Sequence, residues 1–128
     1  MNFLTKLYNS RTVLLDMLSV RGIDVSIYRN FSMKEIDIMF KNNSTKIDTE
    51  LNPLDLKIEN EEGNVFVKYI LSGKVRISNI QQLINEMSEN ILKDNDTFII
   101  ITREKLSNET SIESLIESIY KKNNINIQ

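Results

Sequence analysis

Cysteine, histidine, alanine and tryptophan are absent from this 128-residue chain, proline occurs once and glycine three times. Without cysteine there is no disulfide, no thiolate metal site and no cysteine nucleophile. Without histidine the commonest metal ligand and the usual general base near neutral pH are both missing, so a serine nucleophile would have no imidazole partner. The glycines, Gly22, Gly63 and Gly73, are too far apart to make a phosphate-cradling loop. No apolar run approaches the roughly 20 residues that span a bilayer. Asn2, Lys6 and Tyr8 interrupt the first segment, which therefore lacks the apolar core of a signal peptide. These absences predict an intracellular protein with no membrane partner, no metal, no cofactor and no small-molecule substrate.

What remains is ordinary for a globular chain: 41% hydrophobic and 27% charged residues, with a net charge of −2. The length suits one domain over residues 1–128. A weakly acidic whole gives no general attraction for nucleic acid, so any such contact needs a local basic patch. The abundance of isoleucine and asparagine is the drift expected of an AT-rich genome.

Hydrophobic spacing predicts the elements. Leu7, Leu14, Leu15 and Leu18 share one face of a helix from about Leu4 to Arg21, with Gly22 as its left-handed stop. Ser32 and Glu35 form a capping-box pattern ahead of Met33, Ile36 and Phe40, a short second helix. Residues 41–52 read as a polar loop. Leu54, Leu56 and Ile58 alternate with Asp55, Lys57 and Glu59, as in a half-buried strand whose polar residues face water. A turn around Gly63 leads to an apolar strand over Val65–Leu71, completing a hairpin. Ser78 and Gln81 are expected to open a third helix with Ile80, Leu83, Ile84, Met87 and Ile91 inward. Thr97–Ile101 reads as a strand covered on both faces. Thr110 and Glu113 cap a fourth helix ending at Lys121 and Lys122, and Ile125–Ile127 suggests a last strand. Alternating strands and helices in the second half predict parallel right-handed crossovers, hence a mixed sheet with helices on both faces.

A helix, a hairpin and a strand–helix–strand unit also make the core of restriction-endonuclease-like domains. Such enzymes hold Mg²⁺ between an Asp on one strand and an acid-x-Lys on the next. Here Asp55 and Lys68 occupy two of those places, but the third is Phe66. One carboxylate beside an aromatic ring cannot clamp the ion. A shifted set, Asp48 with Asp55 and Lys57, spans a loop containing Pro53 and is weaker than the plain reading of Asp55, Lys57 and Glu59 as a solvated strand face.

The first helix carries Leu7-Tyr8, Arg11-Thr12-Val13, Met17 and Arg21-Gly22 in that order. Further on come Val65-Phe66-Val67, Lys74-Val75-Arg76-Ile77, Thr97-Phe98-Ile99-Ile100-Ile101 and Ile125-Asn126-Ile127. This succession resembles the N-terminal jaw domain of subunit five, the subunit shared by eukaryotic nuclear RNA polymerases and encoded also by large DNA viruses. The resemblance covers nearly the whole chain, although the Gly and Lys of the family's Val-Gly-Ile/Val-Lys segment are not matched. It implies a three-layer α/β/α fold of restriction-endonuclease-like topology without the active site. It implies a non-catalytic part in DNA-directed RNA polymerase, with the large polymerase subunits and downstream double-stranded DNA as partners. The compartment it implies is the nucleus, or the virion or cytoplasmic factory of a large DNA virus. The family's second, assembly domain opens with His-Glu-Leu-Val-Pro, a motif the sequence to Gln128 does not contain, so the expected match is to the jaw domain alone.

The one candidate nucleic-acid surface is a sheet rim. If the strands at Val65–Leu71 and Thr97–Ile101 are parallel neighbours, the loops that leave them share one edge. Those loops carry Lys74 and Arg76, and Arg103 and Lys105. In the resembling family the corresponding loops face downstream DNA. Weak, sequence-independent binding is expected of such a patch.

Overall fold

The computed structural model describes residues 3–43, 47–71, 76–103, 113–114, 116–117 and 126–127. The chain divides into two compact units, Met1–Asn43 with Asn52–Leu54, and Ser44–Leu51 with Asp55–Gln128.

The first unit is helical. Helix α1 spans Phe3–Val20, and its leucines at 7, 14, 15 and 18 are buried as their spacing predicts. It ends in a Schellman turn. Gly22 N–H donates to the Ser19 carbonyl and Ile23 N–H to that of Leu18, with Gly22 at φ 86°. A 3₁₀ turn, Ser26–Tyr28, follows, its Ser26 N–H donating to the Asp24 carboxylate. Helix α2 spans Met33–Asn42 and has the full capping box, with Glu35 N–H donating to Ser32 Oγ and Ser32 N–H to Glu35 Oε1. Phe3 and Phe40 join the two helices, ring centroids 5.2 Å apart. Arg11, a residue of the resemblance, is buried and donates through Nη1 to the Leu54 carbonyl at 2.8 Å. Leu54 N–H in turn donates to Asn43 Oδ1. These two bonds fasten the short 52–54 segment to the helices.

The second unit is α/β. Its four-stranded sheet runs β1 (Leu56–Ile58), β2 (Val65–Ile70), β3 (Thr97–Thr102) and β4 (Asn126–Ile127) in that spatial order. β1 is antiparallel to β2; β3 is parallel to β2 and to β4. Helix α3, Ile77–Asn90, makes the β2–β3 crossover. Phe66, Phe98 and Ile127 stand in register across three strands. With Ile70 they pack against Ile80, Leu83, Ile84 and Met87 of α3. Of the expected fourth helix, Glu113, Ser114, Ile116 and Glu117 are helical, and Ile116 packs against this same cluster. Both crossovers step the same way across the sheet, which with right-handed connections puts both helices on one face.

The amino ends of β2 and β3 are clipped together. Asp96, buried, accepts N–H bonds from Asn64 and Lys93, and Thr97 N–H donates to the Asn64 carbonyl. Gly63, at φ 140°, lies so close to this clip that a Cβ would sit 2.0 Å from the Asn95 carbonyl oxygen. Only glycine fits there.

Four expectations need correcting. The first strand is three residues long and begins at Leu56, because Leu54 belongs to the other unit. Asp55 is not on a solvated face but 4% exposed; Lys57 and Glu59 are exposed as expected. Helix α3 starts at Ile77 with Arg76 as its N-cap and no side-chain cap bond, so Ser78 does not cap it. Within β3, Phe98 and Ile99 are buried but Ile100 and Ile101 only partly so.

Two outcomes follow from these packings. Ile84→Ala, at a fully buried position, should lower unfolding free energy by about 2–5 kcal/mol, whereas Gln82→Ala on the outer face should change it by about 0.5 kcal/mol or less. Equal effects under denaturant would refute the helix register. In the capping box, the Ser32 N–H, then its hydroxyl, holds the Glu35 carboxyl below its ordinary range. A depressed folded value means stabilisation that is present above the ordinary pKa and lost as pH falls through the lowered one. The stability difference between the wild type and Glu35→Gln should therefore shrink as solutions are acidified; a pH-independent difference would count against the box.

Candidate functional site

Extending the β1–β2 register one step beyond Leu56↔Val67 sets Asp55 opposite Lys68. The two side chains, 0% and 7% exposed, meet at 2.9 Å between Oδ2 and Nζ. Asp55 Oδ1 accepts the Tyr69 N–H at 2.9 Å. Lys68 Nζ also donates to the Glu50 carbonyl. So the carboxylate binds strand β2 twice, and the ammonium ties the 47–51 segment to the sheet. Local sequence explains the geometry: Pro53 and Leu54 end an irregular stretch, and Asp55 immediately precedes β1 and its hairpin.

Residues 66 and 68 share a strand face. Phe66, 8% exposed, therefore occupies the place beside Lys68 at which the endonuclease-like pattern needs its second acid. Its ring is in the core cluster, with Lys57 Nζ 5.9 Å from its centroid. Among the described residues no group of three or more carboxylate, histidine or cysteine side chains could hold a metal ion. Asp48 of the shifted set does not join the pair; its carboxylate accepts the Glu50 N–H in a local turn.

A cavity of about 210 Å³ opens beside the pair. Phe66, Met87, Ile91 and Phe98 give it apolar walls, and Thr49, Glu50, Asp55 and Lys68 polar ones. Leu51, 64% exposed, and Lys57 also line it. Sequence pattern did not reveal this cavity, because the 47–51 segment that closes it has no periodicity. The helical unit has a cavity of similar size, lined by Tyr8, Arg11, Thr12, Arg29 and Phe31. At its edge Arg29 pairs with Asp16 at 2.9 Å, and Asn30 has φ 68°.

The predicted rim is described in half. β2 and β3 are parallel and end together, Ile70 opposite Thr102, with Arg103 N–H donating to the Ile70 carbonyl. Arg76, at the start of α3, and Arg103 are both exposed. Lys74 and Lys105 lie outside the described residues, as do Lys121 and Lys122. No helix among the described residues is long and apolar enough to cross a membrane. No protein family, curated protein or solved structure matches this chain.

Removing one partner of a buried ion pair leaves the other charge uncompensated and typically costs about 3–5 kcal/mol. Asp55→Asn, which keeps an acceptor for Tyr69 N–H, and Lys68→Met should each fall near that range in urea unfolding. The double variant should lose clearly less than the sum. Additivity within about 0.5 kcal/mol would mean the two groups do not act as a pair.

Proposed function

We propose that this chain is a non-catalytic structural subunit or domain of a DNA-directed RNA polymerase, forming part of the jaw near downstream DNA. The observation that carries this reading is the element order: two helices, an antiparallel hairpin, then a crossover helix into a parallel strand. That is the order expected of a restriction-endonuclease-like jaw, and a three-layer α/β/α arrangement belongs to the same proposal. The absence of catalysis is supported by Asp55, whose two oxygens are engaged by Lys68 and Tyr69 N–H, and by Phe66 in the neighbouring place. DNA contact falls to Arg76 and Arg103, together with Lys74 and Lys105. The amino end of α3 adds partial positive charge there. Large polymerase subunits are the partners, and the nucleus or a viral factory the compartment.

The meeting of Asp55 and Lys68 favours a second reading, an endonuclease-like enzyme. Mg²⁺ or Mn²⁺ with supercoiled plasmid separates the two: the jaw reading expects no nicking, and nicking abolished by Asp55→Ala would overturn it.

Tagged chain should co-purify stoichiometrically with the large polymerase subunits of its source. In the assembled enzyme, Lys74→Ala/Arg76→Ala and Arg103→Ala/Lys105→Ala should each flatten the salt dependence of DNA binding, by about 0.9 in log–log slope for each phosphate no longer neutralised. Lys93→Ala, at the opposite end of β3, should leave the slope unchanged. Equal effects from the control, or none from either pair, would remove DNA contact from the proposal.

A further inference from the structure

The cavity beside the buried pair has the size, walls and buried hydrogen-bond donor of a site for one particular kind of side chain. We propose that it receives a tyrosine presented by a partner protein. This stands apart from the polymerase reading, since failure to co-purify with polymerase would leave it untouched.

Size is the first reason. An apolar cavity of roughly 150 Å³ takes up benzene. One of about 210 Å³ has room for a substituted ring. The walls suit a ring as well: Phe66 and Phe98 offer ring contacts, and the Met87 thioether packs favourably against aromatic edges.

Charge selects the polar end. A lysine ammonium has three N–H donors. Lys68 uses one on Asp55 and one on the Glu50 carbonyl. Among the described residues the third has no acceptor, and Lys68 lines the cavity. An acceptor on the ligand completes the set. It should be neutral, because the charged residues that line the cavity already balance, Asp55 against Lys68 and Glu50 against Lys57. A second carboxylate would put unbalanced negative charge beside a carboxylate with no exposed surface, which is costly. A phenol oxygen meets both conditions, and the Thr49 hydroxyl on the same cavity can accept the phenol proton.

The third step is from phenol to tyrosine. Pockets that bury most of a larger, drug-sized ligand are about 300–1,000 Å³, room for more than a single ring. This one is smaller, so the rest of its occupant must lie outside. Leu51, 64% exposed, also lines the cavity and gives that remainder an apolar surface. A ring in a cavity with its backbone on an apolar lip is how tyrosine anchors interfaces.

The full chain, with amide signals followed by NMR, tests this with N-acetyl-tyrosine amide, N-acetyl-phenylalanine amide, p-cresol and 4-methylbenzoate. The tyrosine amide should shift Glu50, Leu51, Lys68 and Ile91, and the phenylalanine amide should bind at least about tenfold more weakly, as the loss of a hydrogen bond to a charged donor dictates. Thr49→Phe, at a lining position, should abolish binding by filling the cavity. Leu51→Ala, at an exposed position that cannot unfold the core, should weaken the tyrosine amide and leave p-cresol unchanged. The proposal falls if the shifts miss the cavity, if the phenylalanine amide binds as well as the tyrosine amide, or if the benzoate outbinds the cresol. It falls equally if Leu51→Ala affects neither ligand, since the site would then be for a free phenol.

Discussion

Strand β1 has three residues and so very few ladder bonds with which to set its alignment on β2. A strand this short is prone to slip, and a slip of one residue turns every side chain to the other face. The Asp55–Lys68 pair prevents this. Shifted by one, Leu56 would face the buried ammonium and Asp55 would lose both Lys68 and the Tyr69 N–H. Neither charge tolerates burial without the other. The pair therefore contributes uniqueness more than net stability, since an apolar pair of equal volume could pack as well. It also holds the Glu50 carbonyl, so the irregular 47–51 segment inherits the register of the sheet.

The other end of the sheet is fixed by different chemistry. Asp96 gathers two N–H donors from separate turns, and Gly63 lets those turns approach to a distance no side chain would permit. With the amino ends clipped and the two strands equal in length, their carboxyl ends must come out level. That is why Ile70 stands opposite Thr102 and the next residue, Arg103, donates its N–H to the Ile70 carbonyl. The row of Phe66, Phe98 and Ile127 beneath α3 keeps that spacing.

Much of this is legible in the sequence because it is local. The leucine stripe of α1, the Gly22 stop, the Ser32–Glu35 box and the apolar face of α3 each depend on residues within a few turns, and each formed as their spacing predicts. Asp55 departs from expectation for a reason that is not local. Alternation assigns side chains to faces, but exposure depends on what covers the face, and Asp55 points to the side on which α3 lies. Ser78 with Gln81 has capping-box spacing, yet extended backbone at Arg76 already allows the helix to begin one residue ahead of Ser78. The transfer of Leu54 to the helical unit rests on its bond to Arg11, 43 positions away, which no periodicity encodes. The 3₁₀ turn has a local signal, Asp24 two residues before Ser26, to which apolar spacing is blind.

Phe66 is the residue on which the chemical character of the site turns. An acid there would place a second carboxylate next to Asp55, and two close carboxylates need a cation between them. Lys68 would then be drawn to whichever oxygen the metal left free. Phenylalanine removes the second charge, so Lys68 and Asp55 satisfy each other and the pair becomes neutral. The same ring then becomes a wall, joining Met87, Ile91 and Phe98 around a space that favours apolar surface over a hydrated ion. Divalent cations of this kind keep oxygen ligands or water on most sides. One substitution in the pattern thus both removes the ion clamp and supplies the apolar lining beside the buried pair.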